Sequence, residues 1–252
     1  MNIHLRKQRG LSLISLMIAL LIGTFLLAGL FAVWFQTRTT FKTQNQMAQV
    51  QDNQRMALII LGNTVESAGY YPVSMNYGTN PPNPLYQQSN VFPVAAPFTV
   101  AGQSVFGIHS TTTPNNDTLE VRFMPDPKAG NTLDCLGQSD AYPTLVTNTF
   151  TLTGTTLTCS VNNNPKAETI VTGVQSFVVY YGISTTQANS SVTEYLTADQ
   201  VTADAMWGNV QSVNVRLTFV NPLYGEPGIP GQTSTPTLPI VSRIIALTQT
   251  AK

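Results

Sequence analysis

Cys135 and Cys159 are the only cysteines in this 252-residue chain, and His4 and His109 are its only histidines. Two thiols can join in a disulfide, stay as buried free thiols, or share a metal. The metal option has little support, because His109 has no companion at ligand spacing. His109 also has the chemistry of a general base near neutral pH. It lies in Phe106-Gly107-Ile108-His109-Ser110, without a nucleophile-elbow motif or a glycine-rich phosphate loop anywhere in the chain. That segment reads as a strand end or loop. Asp126, Asp134 and Asp140 miss the spacing of a calcium loop, and the remaining acids are spread singly. The expectation is no catalytic residue, no metal and no cofactor: the chain does not read as an enzyme.

Composition bounds the rest. With 42% hydrophobic and 10% charged residues, the chain can bury a core and does not resemble a disordered segment. Bases and acids number 12 each, but Arg6, Lys7 and Arg9 all fall within the first ten residues. Beyond residue 10, nine bases face 12 acids, a net of −3. Such a balance offers no long-range attraction for phosphate backbones, so no nucleic-acid partner is expected.

After that basic start, residues 11–35 carry no charge at all. As a helix they span about 37 Å, enough to cross a hydrocarbon core of about 30 Å. A cleaved signal peptide fits poorly, since its apolar stretch is shorter and ends in a small-x-small site. A plain single-pass anchor fits by length. In either arrangement the basic flank holds the N-terminus in the cytoplasm and places residues after about Arg38 outside. An oxidising outer compartment makes a Cys135–Cys159 disulfide the expected state, enclosing residues 136–158.

The junction Arg9-Gly10-Leu11-Ser12-Leu13-Ile14-Ser15-Leu16-Met17-Ile18 resembles the class III leader of type IV pilins and type II secretion pseudopilins. The resemblance implies that a prepilin peptidase cuts between Gly10 and Leu11 and N-methylates Leu11. The family usually has a glutamate four residues after the first mature residue, where this chain has Ser15. That glutamate is thought to pair with the N-terminal amine of a neighbouring subunit. A serine cannot neutralise the amine, and within the family its loss is associated with subunits at the filament tip.

The helical pattern continues past the apolar stretch. Met47, Val50, Ala57, Leu58, Leu61, Val65 and Ala68 recur at steps that place them on one helical face. No proline precedes Pro72, and Gly69 is a natural stop. A helix from Leu11 to Ala68 is expected, about 87 Å long, with Gly23 and Gly29 as its weak points. Residues 72–98 are proline-rich and read as an irregular loop, in which Tyr77 and Tyr86 join Tyr70 and Tyr71. Strands are expected at Thr118–Met124, Thr149–Leu152, Thr156–Val161, Ile170–Tyr181, Val213–Phe219 and Ile240–Thr248. Asn221–Pro239 reads as a long surface loop.

Several segments narrow the resemblance. Gln51-Asp52-Asn53-Gln54-Arg55-Met56-Ala57-Leu58, Glu66-Ser67-Ala68-Gly69-Tyr70, Asn116 to Phe123, and Gly173-Val174-Gln175-Ser176-Phe177 to Tyr181-Gly182 are similar to the PilW family of minor pilins. Trp207 leading into Val210, Val213 and Val215 fits the same pattern. The resemblance implies a pilin-like α+β fold, a long N-terminal helix packed on an antiparallel sheet. It divides the chain into a leader (1–10), a transmembrane half-helix (11–35), an amphipathic half-helix (36–69) and a periplasmic β-rich domain (70–252). It implies a minor pilin that primes assembly or sits near the filament tip. Its partners would be other minor pilins, the major pilin, prepilin peptidase, the inner-membrane assembly platform and, before assembly, inner-membrane lipid. A type II secretion pseudopilin and a single-pass anchored periplasmic binding domain are the competing readings.

Overall fold

A computed structural model describes residues 13–72, 88–126, 128, 132–185, 191–225 and 235–247. One helix, α1 (Leu13–Glu66), runs unbroken for 54 residues, about 81 Å. Its sequence helps its persistence: leucine, the commonest residue, is a strong helix former, as are the glutamines and alanines, and proline is absent. The helix gives way to a turn at 67–69, where Gly69 takes a left-handed φ of 73°. The Gly69 N–H then donates to Arg122 O and the Met124 N–H to Tyr70 O, so the chain leaves the helix alongside a strand.

The remaining elements are almost all β. β1 (Val105–Ile108), β2 (Thr118–Phe123), β3 (Val146–Thr153), β4 (Thr156–Val161) and β5 (Glu168–Thr172) form a five-stranded antiparallel meander in sequence order. β6 (Val174–Ile183), β7 (Glu194–Leu196), β8 (Val210–Phe219) and β9 (Val241–Ala246) form a second antiparallel sheet in the order β7-β6-β8-β9. Two short helices, α2 (Gln88–Val91) and α3 (Ala198–Ala203), lie in the connections. The fold is α+β, as expected, but with two sheets rather than one.

Gly173 separates them. The run Ile170–Tyr181, expected as a single strand, is two: β5 closes the first sheet, Gly173 turns at φ 82°, and β6 opens the second. Only glycine reaches that φ without steric cost. A single core joins the layers. Ala57, Leu61 and Val65 come from α1, Leu119, Val121, Phe150 and Leu157 from the first sheet, and Phe177, Val179, Val213 and Val215 from the second. Trp207, buried, lies 5.1 Å from Phe106 of β1 and 4.9 Å from Tyr181 of β6, ring to ring. Gly107 lies against the Tyr181 hydroxyl, which any Cβ there would overlap. The amphipathic face of α1 follows the expected pattern: Ala57, Leu61, Val65 and the post-helical Ala68 are fully buried, with Val50 and Leu58 packed at the margin.

Candidate assembly surface

Among the described residues, the longest run of exposed apolar side chains lies on α1. Leu13, Leu16, Leu20, Phe25, Leu30 and Trp34 are all more than half exposed, and an 18-residue stretch of the helix has mean hydropathy 2.6. At about 25 cal/mol per Å² of apolar surface, such a face is strongly driven into lipid or against other apolar helices. Threonine hydroxyls along the helix are satisfied locally. The hydroxyls of Thr24, Thr37, Thr39, Thr40 and Thr43 donate to carbonyls one turn back, at 2.7–3.0 Å. Apart from the adjoining backbone of the helix itself, nothing lies within 4 Å of where a Cβ would stand at Gly23 or Gly29, and the helix passes both without a break. Small residues of this kind allow close approach of another helix. Ser15 lies on this half, exposed in the first described turn. Gly10 and Leu11 lie outside the described residues. The uncharged stretch ends with Arg38, whose guanidinium stands 5.5 Å from the Trp34 ring centroid.

The other half of α1 is locked to the sheets. It touches β5, β8 and β9, and Asn53 Nδ2 donates to Thr172 O at 3.2 Å. Arg243 of β9 crosses over Gly62, donating to Leu58 O (3.2 Å) and to Glu66 Oε1 (3.0 Å). A side chain at Gly62 would overlap that guanidinium, so the glycine makes the crossing possible. The helix therefore carries the domain as a fixed unit.

Within that domain, Cys135 and Cys159 are joined in a disulfide that fastens the loop before β3 to β4. Asp134 builds the loop, accepting from the N–H groups of Leu136 and Gln138 at 2.8 Å each. Asp126 accepts from the Tyr70 hydroxyl at 3.0 Å, and burial raises the phenol pKa, with the carboxylate adding to it. Tyr71 packs edge-on to Phe92. These two tyrosines anchor the chain; Tyr77 and Tyr86 lie outside the described residues.

His109 follows β1, and its Nδ1 is 2.9 Å from Asp117 Oδ1. An imidazole oriented by a buried carboxylate is half of a catalytic arrangement. The neighbouring Ser110 hydroxyl, however, pairs with Thr112 Oγ1 at 2.8 Å. Asp117 has other work: it also accepts from the N–H groups of Ser110 (2.9 Å) and Val179 (2.8 Å). Among the described residues no group of three or more His, Cys, Asp or Glu side chains is placed to hold a metal.

Two residues gain importance only in three dimensions. Asp117 is one acid among scattered acids, and its partners lie up to 62 positions away. Arg122 alternates with apolar residues as an outward-facing strand residue should, yet it is only 2% exposed. Its donors reach Gln103 O (2.7 Å), Pro93 O (2.9 Å) and Phe92 O (3.3 Å), and its guanidinium lies 4.1 Å from the Phe98 centroid. Burial lowers its pKa to about 10. No short-range sequence signal marks either role, since both depend on distant backbone.

Comparison with known proteins bears on the two ends of this geometry. Residues 5–31 match the prokaryotic N-terminal methylation motif, and residues 135–238 match the family of type IV pilus-assembly protein W. No curated protein matches the sequence. Among solved structures, a type IV-like pilin from Thermus thermophilus is similar at 12% identity and a TM-score of 0.43, covering 79% of this chain and 95% of that one.

Proposed function

Because the chain belongs to the PilW family of type IV pilus minor pilins, we propose that it is cut between Gly10 and Leu11, methylated on Leu11, and placed at or near the leading end of the filament. On this reading residues 1–10 are the leader and 11–35 the membrane-crossing half of the helix. Residues 36–69 form the docking half, and 70–252 form the exported domain. The basic leader stays in the cytoplasm and the disulfide-bearing domain lies in the periplasm, until assembly carries both the helix and the domain into a filament on the cell surface. The observation that carries the reading is the exposed apolar half of α1, attached without a break to a docked second half.

Its chemistry is exchange of lipid for neighbouring helices. The apolar residues from Leu13 to Phe35 are solvated by acyl chains before assembly and by other pilins' helices afterwards, with no change in the head. Partners are the major and other minor pilins, the peptidase that processes the leader, and the inner-membrane platform. The role is structural, not enzymatic. Ser15 supports the leading position, because a subunit with none ahead of it needs no carboxylate to meet a neighbour's amine.

Intact mass spectrometry of the protein, expressed with and without prepilin peptidase, tests this. A chain beginning at N-methyl-Leu11 only when the peptidase is present is the expected result. A Met1 start in both samples would leave a plain membrane-anchored domain and remove the filament reading.

A further inference from the structure

Each sheet ends in two edge strands: β1 and β5 in the first, β7 and β9 in the second. An edge strand carries a row of backbone donors and acceptors that can pair with another chain, and folded proteins blunt such rows with short strands, bulges, prolines or charges. β1, β5 and β7 have four, five and three residues, and the β5 ladder is broken by a register shift between Leu157 and Thr158. β9 has six residues, no proline and an unshifted register against β8. Its one charge is withdrawn, since Arg243 turns onto α1 to meet Leu58 O and Glu66. Ser242, Ile244 and Ala246 stand on the opposite face, exposed, Ile244 by 60%.

The polarity of the ladder shows which backbone groups are left over. The Leu247 N–H donates to Gln211 O, so the hydrogen-bonded pairs continue at Val213 with Ile245, Val215 with Arg243 and Leu217 with Val241. The N–H and C=O groups of Ser242, Ile244 and Ala246 therefore point away from β8, and among the described residues none of them has a backbone partner. A second extended backbone is what meets such a row in full. Charge then selects among extended backbones. Arg216 faces Ser242 across the ladder, 4.8 Å from the Tyr180 ring centroid, and pairs with no carboxylate among the described residues. A residue opposite Ser242 on an added strand stands two strand spacings from Arg216, about 10 Å. The small Ser242 side chain leaves that path open, and an acidic side chain can meet the guanidinium across it. β9 contains no acid, so a second copy of this chain pairing edge to edge cannot supply one.

We propose that the β9 edge accepts an extended, acid-bearing strand from the globular domain of a different pilin. The inference rests on the pilus-subunit reading above: Arg243 holds β9 to the docked half of α1, so a subunit whose helix joins the apolar half brings its own domain alongside this edge. Photocrosslinking in intact piliated cells tests it, with p-benzoylphenylalanine replacing Ile244, Phe31 or Val94 in the full-length chain. Val94, 61% exposed in the connection before β1, is the control. A crosslink from Ile244 to a strand segment of another pilin's domain is expected, with none from Val94. Ser242→Pro removes one outward N–H and spares every bond to β8, and Arg216→Glu reverses the charge of an exposed side chain. Each should cut the Ile244 crosslink severalfold while Phe31 still captures pilin helices. Should a lowered urea midpoint show that Ser242→Pro disturbs the fold, Arg216→Glu decides alone. The proposal is overturned if Phe31 captures a pilin while Ile244 captures nothing, a second copy of this chain or a helical segment. It is also overturned if Val94 captures the same strand, or if either folded variant leaves the crosslink at full yield. If Phe31 captures no pilin, the pilus-subunit reading falls with it.

Discussion

The carboxylate of Asp117, at the threshold of β2, accepts a hydrogen bond from the backbone N–H of Val179 in the middle of β6 at 2.8 Å. The contact crosses from the five-stranded sheet to the four-stranded one, beside the isolated bridge between Asn116 and Phe177. Replacing Asp117 with alanine leaves the N–H groups of Ser110 and Val179 without acceptors, and each buried orphan costs about 1–3 kcal/mol. A loss of about 2–5 kcal/mol is expected from Asp117→Ala, read as a lower urea midpoint of the full-length protein at unchanged slope. His109→Ala, which spares both backbone bonds, should cost less than about 1 kcal/mol. Equal losses from the two variants would show that the imidazole, not the inter-sheet bond, is what matters.

Arg122 plays the corresponding role for the segment 92–104. Its planar fork fills three carbonyls while its face lies on Phe98. A lysine keeps the charge but has neither the fork nor the flat face. Arg122→Lys should destabilise by about 2–3 kcal/mol and open residues 92–104 to limited proteolysis before the sheets unfold. Unchanged protease resistance in that segment would refute the clamp.

The contrast between these residues and their neighbours shows what a sequence displays. Thr118–Phe123 and Thr156–Val161 were visible as strands because one face of each is core, and burial imposes the alternation. The long helix and its inward stripe were visible for the same reason. β7, at three residues, is too short to show a period, and β1, at four, is legible only as a strand end or loop around His109. The break at Gly173 was hidden inside a continuous β-rich run, since its effect is to change sheets rather than composition. The methylation motif is local, and the resemblance that marks it is carried by consecutive residues from Arg9 to Ile18.

Asp140 offers a test by pH. Burial raises its carboxyl above the ordinary range, with the charge of Asp134 adding to the effect, and its Oδ2 is buried without a hydrogen-bond partner. The folded state thus holds this proton more tightly than the unfolded chain does. The ionised group therefore weakens folding above the raised value, and the penalty disappears below the ordinary value of 3.8. Because the side chain is partly solvated, the effect stays under about 1 kcal/mol. Asp140→Asn should raise the melting temperature at neutral pH by about 2 °C and leave it unchanged near pH 3. A gain of the same size at both pH values would mean that charge is not its source.

Ser15 provides the most direct test of where the subunit sits. It is exposed on the apolar half of α1, where an unpartnered carboxylate is expensive once lipid or helices surround it. In a subunit flanked on both sides, a glutamate at this position gains a neighbour's N-terminal amine and is stabilised. In a leading subunit the same glutamate has no amine ahead of it and brings only the cost of desolvation. Ser15→Glu should therefore be tolerated poorly or leave incorporation unimproved, with immunogold label staying at filament ends. Stronger labelling along the shaft would show that a neighbour's amine was available all along, and the leading position would have to be abandoned.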